Sequence, residues 1–155
     1  MTRIRFTRLE QPRSKALHLC RLAQTCVEEG HSLVIRVADL EQAQSLDRFL
    51  WTWKKDSFLP HCLDDPAQTR IDEPIVIVTA ERNPNGATAL IMGTPCSLPF
   101  IESFALVFDF AEVYADDLAQ AARTRFRSYR AHGLDPQMDT AEPPDMVKTR
   151  RQEHS

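Results

Sequence analysis

Four arginines, a phenylalanine and a tyrosine fall within ARTRFRSYRAHG, residues 122–133. At helical spacing Arg123, Arg127 and Arg130 stand at i, i+4 and i+7, one stripe on one face with Phe126 beside it, while Arg125 points elsewhere. Guanidinium forks match carboxylates and an aromatic ring offers an apolar wall, so such a stripe suits an acidic peptide. Arginines near a helix C-terminus also complement the helix dipole, and most charged faces are simply solvated, so both readings stand at this point. A second cluster, LDRFLWTWKKDSFLPH (46–61), gathers Phe49, Trp51, Trp53, Phe58 and Leu59, including both tryptophans of the chain. Rings crowded at one helix end either anchor a protein interface or fill a satellite core under a loop.

Other chemistries lack their parts. The four glycines, Gly30, Gly86, Gly93 and Gly133, form neither GxGxxG nor GxxxxGK, and TRLEQPRSKA has no glycine with which to cradle a phosphate. His18 with Cys20 and Cys26, or His61 with Cys62, offers two or three donors where a structural zinc wants four, and Cys20 and Cys26 sit at core positions of a helix. GxSxG and HExxH are absent, and Asp64, Asp65, Asp72 and Glu73 read as solvated loop charges. We therefore expect no catalytic residue, no metal and no cofactor. A net charge of -3 gives no global attraction to nucleic acid, so any contact with DNA is expected to be indirect. The four cysteines lack a framework and read as reduced, packed thiols. Neither a leader in MTRIRFTRLE nor a spanning run of roughly 20 apolar residues is visible, so the expectation is a cytoplasmic chain without membrane contact.

The elements that must position these residues follow from periodicity. RIRFTRL (3–9) alternates as a strand with one wet face; Ser14 to Glu29 has helical apolar spacing with Ser14 as N-cap and Gly30 as stop. LVIRV (33–37) reads as a strand, and Asp39 caps a helix carrying Leu40, Ala43, Leu46, Phe49 and Leu50. Residues 54–73 read as a long loop. PIVIVTA (74–80), apolar on both faces, is a buried strand; ATALIMG and SFALVFDF add two more; Asp116 opens a last helix that Gly133 stops. The order is that of an α/β sandwich with a mostly parallel central sheet flanked by helices. One domain over 1–135 is expected, with 136–155 a disordered polar tail.

Two motifs, LD..LW....SF.PH in the middle and AR.R(aromatic)..YR..G after FALVFDF, resemble the chi-subunit family of bacterial DNA polymerase III over about residues 1–135. The resemblance implies a Rossmann-like fold without a nucleotide-binding loop, and an adaptor of the clamp loader with no catalysis of its own. It implies two partners. The psi subunit would contact Trp51 and Phe58. The acidic C-terminal tail of single-stranded-DNA-binding protein would be received by Arg123, Phe126 and Arg127, with Arg130 added from the helical stripe. Phe126 and Arg127 stand where relatives often have tyrosine and lysine, so charge is kept while a phenolic hydrogen bond is lost. FAEVYADD carries one extra residue before the last helix, beside a pocket wall expected near Glu112 and Val113. The competing reading is a small nucleotide-binding or enzymatic α/β domain.

Overall fold

The computed structural model describes residues 1–54 and 59–139. Its strands are β1 (Arg3–Leu9), β2 (Leu33–Arg36), β3 (His61–Leu63), β4 (Ile75–Val78), β5 (Ala89–Met92), β6 (Leu106–Glu112) and β7 (Asp135–Asp139). Its helices are α1 (Ser14–Glu28), α2 (Leu40–Thr52), α3 (Leu98–Glu102) and α4 (Asp116–Ala131). The strands form one sheet in the order β3-β4-β2-β5-β6-β1-β7, and every pairing is parallel. An all-parallel sheet needs cover on both faces, because neither side of its central strands can stay wet. All four residues of β4 and of β5 are accordingly buried.

Period-two alternation divides the core into two layers. Leu33 and Ile35, Ile75 and Ile77, and Ala89 and Ile91 point to the face covered by α1 and α2. Val34, Val76, Val78, Leu90 and Met92 point to the other, with Ile101 of α3 and Ala122 and Tyr129 of α4. No helix among the described residues is long and apolar enough to cross a membrane.

Local signals explain most boundaries. Asp39 caps α2 by accepting from Gln42 N–H at 2.9 Å, and Gln42 accepts in return from Ala38 N–H at 3.1 Å. Gly30 ends α1 with φ +86°, its N–H reaching Val27 O while His31 N–H reaches Cys26 O, the paired bonds of a Schellman turn. Ser14, expected as the cap of α1, is instead its first helical residue; Arg13 precedes it without a side-chain cap, and the turn carbonyls of Gln11 and Pro12 take the Ser14 and Lys15 N–H groups.

Three elements depart from the sequence reading. The expected loop at 54–73 contains β3, an edge strand of three residues with too little length for a period to register. The segment before β6 holds the short α3, capped by Ser97 and carrying Pro99 in its first turn. The ordered domain does not stop at 135: residues 136–139 belong to β7, paired to β1 in the register Ile4↔Pro136, Phe6↔Met138 and Thr7↔Asp139. Arg5 fastens it by donating to both carboxylate oxygens of Asp139, at 2.9 and 3.0 Å. An edge strand takes its pairing from backbone amides and tolerates proline, so its side chains need not be apolar. The rest of the expected tail, 140–155, lies outside the described residues.

Gly93, just beyond β5, serves the packing of the sheet rather than a phosphate. A Cβ there would meet Arg36 O at 2.7 Å and Val37 Cγ1 at 3.1 Å. Gly93→Ala is expected to destabilise by about 1–3 kcal/mol through overpacking against backbone, read as a lower urea midpoint; an unchanged midpoint would mean that the β2 and β5 ends separate freely.

Candidate functional site

α4 runs back across the sheet after β6, and its two flanks do different work. On the inner flank Arg125 donates to Asp109 Oδ2 at 3.0 Å and Oδ1 at 3.1 Å, and to Phe110 O at 3.0 Å. Tyr129 O–H donates to Asp109 Oδ2 at 2.8 Å, and Phe110 N–H to Asp109 Oδ1 at 2.7 Å. Asp109 is 3% exposed, a buried carboxylate with its acceptor capacity filled. Burial, with the adjacent Asp109 charge, pushes the Tyr129 phenol far above its ordinary range, so it serves as a fixed donor. This network bolts the helix to β6.

The outer flank carries the predicted stripe. Arg123, Arg127 and Arg130 are all exposed. Arg123 Nη2 donates to Gln120 Oε1 at 3.1 Å, one turn earlier on the same helix. Phe126 is half-buried, its ring centroid 5.4 Å from that of Phe6 on β1, and the Arg130 guanidinium lies 5.0 Å from the Phe126 centroid, a cation–π contact. The four residues named from the sequence are thus on one flank of one helix. Sequence reasoning missed Met138. It is the register partner of Phe6, hence on the same face of the sheet, and is 52% exposed. Phe126 and Met138 therefore both stand on the face of the sheet that α4 covers. Glu112, expected near the pocket wall, faces elsewhere: it accepts from Lys15 Nζ at 2.7 Å and from Tyr114 O–H. Val113 packs, half-buried, into the α3/α4 core layer.

Lys15, Glu112, Asp109 and Arg125 line a cleft of about 240 Å³ at the carboxyl ends of β5 and β6. α1 leaves β1 onto one face while α4 leaves β6 onto the other, and such a switch point is where open α/β sheets take ligands. Here the ionisable groups are spent on one another. Lys15 also donates to Gly93 O at 2.8 Å. Burial pushes the Glu112 carboxyl up, but its bonds from Lys15 and Tyr114 outweigh this and leave it below the usual range. No group of three or more metal-type ligands occurs among the described residues. Cys20 and Cys26 are buried, their thiols pushed to about 12 and about 11 by desolvation, which removes them as nucleophiles.

At the aromatic cluster the rings divide. Leu59 is buried, and Phe49 and Trp53 pack partly against the α1/α2 layer. Trp51, in the last turn of α2, is 51% exposed and rests on His61, ring centroids 4.4 Å apart. Phe58 lies outside the described residues. α2 borders β3 and β4, whereas α4 borders β6 and β7 on the other face. Trp51 and the arginine stripe therefore occupy opposite faces and opposite edges of the sheet.

Residues 1–137 match the family model described as DNA polymerase III chi subunit, HolC. The chain belongs to the DNA polymerase III chi subunit family. The chi subunit of Pseudomonas aeruginosa is 31% identical over 137 residues, covering 86% of this chain and 92% of that protein. The Escherichia coli K12 chi subunit is 30% identical over 117 residues, 75% of this chain and 78% of its own. Membership places the chain in DNA replication, within a polymerase complex. Among solved structures the C-terminal domain of Saccharomyces cerevisiae Dbp5, in a complex with Gle1 and IP6, superposes with TM-score 0.67 at 11% identity, covering 99% of this chain and 98% of that one. At that identity the likeness speaks for the α/β fold alone. The chi match runs through α4 into β7, so both the stripe and the Trp51 surface lie inside the family domain.

Proposed function

We propose that the chain is a non-catalytic adaptor of the DNA polymerase III holoenzyme, joining the clamp loader, through the psi subunit, to single-stranded-DNA-binding protein. The outer flank of α4 receives the acidic C-terminal tail of that protein. Arg123 and Arg127 take its carboxylates, and Phe126 with Met138 takes its apolar end. The end of α2, with Trp51 and Phe58, receives psi. The observation that carries this reading is the exposed arginine stripe beside a half-buried aromatic ring, on a helix whose inner flank is already committed to the fold. Placement of Trp51 on the opposite face supports simultaneous engagement of both partners.

Exposed guanidinium groups attract carboxylates through water, so affinity falls as salt screens the charge, and ordering a mobile tail keeps it modest. Arg123→Ala is expected to weaken a synthetic acidic peptide ending in a free hydrophobic residue by at least about 1 kcal/mol, roughly fivefold, the loss of a charge-assisted hydrogen bond. Calorimetry at low salt measures it. Equal affinity of variant and parent removes Arg123 from the site.

A further inference from the structure

Asp116, Gln120, Arg123, Arg127 and Arg130 stand at i, i+4, i+7, i+11 and i+14, so the outer flank of α4 is acidic at its start and basic from its middle onward. All five are exposed. Ion pairs among the described residues occupy Arg5, Arg8, Arg70, Arg82 and Arg125, and none of them involves a stripe arginine. α4 follows the carboxyl end of β6 and runs back across the sheet, whereas β7, parallel to β1, runs the opposite way beside it. Phe6 sets the level. It pairs with Met138 and with Asp109, which holds Arg125, and its ring lies 5.4 Å from that of Phe126. Asp139, the next residue, is therefore beside the stripe, and β7 points from there toward the start of α4.

The sequence continues from Asp139 as TAEPPDMVKTRR, residues 140–151. Its charges come in the order complementary to the flank read from the stripe toward Asp116: Glu142 and Asp145 first, then Lys148, Arg150 and Arg151. A chain covers at most about 3.3–3.6 Å per residue, so Asp145 can lie up to roughly 20 Å from Asp139, while Arg123 to Arg130 takes about 10 Å of helix. Both carboxylates are thus within reach of every stripe arginine. Because they are tethered, their effective concentration at the stripe is on the order of millimolar, enough to populate pairings too weak to hold separate molecules.

We propose that the acidic segment Glu142–Asp145 of this chain is a resident occupant of the arginine stripe on α4, and that an incoming acidic peptide must displace it. The segment lowers affinity for every acidic ligand of the stripe and selects for those with more carboxylates or an apolar anchor. The competition rests on the reading of this flank as a peptide receptor; the self-contact does not.

The ¹⁵N-labelled full chain, free of ligand at low salt, is compared with its Glu142→Gln/Asp145→Asn variant. The backbone amide and Nε–H resonances of Arg123, Arg127 and Arg130 are expected to differ between the two, and the difference to close at about 1 M salt, where the screening length falls to about 3 Å. Glu153→Gln, which removes a carboxylate beyond the basic run, is expected to leave them as in the parent. In calorimetry the double variant is expected to bind a synthetic acidic peptide about three- to fivefold more tightly than the parent, the gain from freeing a stripe occupied roughly two-thirds to four-fifths of the time. Stripe resonances identical in parent and double variant, or moved equally by Glu153→Gln, overturn the proposal. Equal affinities for a peptide that does perturb the stripe overturn it as well. Stripe resonances that differ while the peptide perturbs other residues uphold the self-contact and remove the receptor reading instead, so the two failures are told apart.

Discussion

Asp109→Ala lowers the unfolding free energy by about 3–5 kcal/mol, the cost of breaking a buried ion pair by deleting one partner. Asp109 accepts two bonds from Arg125 and one from Tyr129, and it is 3% exposed. Its loss strands a guanidinium whose burial is compensated chiefly by that carboxylate. Asp109→Asn is milder, since the amide oxygen still accepts from Tyr129, yet it removes the charge that Arg125 faces. Denaturant unfolding ranks the three proteins parent, Asn, Ala. Because the network fastens α4 to β6, the alanine variant also exchanges α4 amide protons faster than those of α2. A loss below 1 kcal/mol for Asp109→Ala would mean that apolar packing of Ala122 and Tyr129 suffices to seat the helix.

Phe6→Ala comes second, with an expected loss of about 3–5 kcal/mol for truncating a fully buried aromatic and leaving a cavity. Phe6 is 0% exposed and stands between the layers of the site: its ring is 5.4 Å from Phe126 and 5.8 Å from Tyr129. The variant therefore loses stability and also the backing of the half-buried Phe126 ring. Acidic-peptide affinity should fall although no arginine has changed. Unchanged affinity in a folded Phe6→Ala protein would show that Phe126 supplies no wall to the ligand.

How much of this was legible from residue types depends on what each element relies upon. β4 and β5 were readable because a strand buried on both faces must be apolar throughout, and α2 because its apolar residues recur at helical spacing behind a capping Asp39. β7 was not, since DPQMD owes its place to backbone pairing with β1, and the position of Met138 beside Phe6 was hidden with it. The strand order was equally hidden, because it is decided by contacts distant in the chain. Arg123, Phe126, Arg127 and Arg130 emerged as one flank because helical geometry is local. The Asp109 anchor left a signal that was passed over: a single carboxylate inside the apolar run SFALVFDF cannot stay buried alone, and Arg125, off the stripe, was the cation available to meet it.

The outer flank of α4 is proposed as a receptor for an acidic, apolar-ended peptide. Backbone chemical-shift mapping tests it most directly: titrate the ¹⁵N-labelled full chain with such a peptide at low salt. Perturbations are expected to concentrate at Arg123, Phe126, Arg127, Arg130 and Met138, with Trp51 and His61 on the far face undisturbed. Perturbations centred on Lys15, Gly93 and Glu112 at the strand-end cleft, or spread over the surface without a focus on α4, would contradict it.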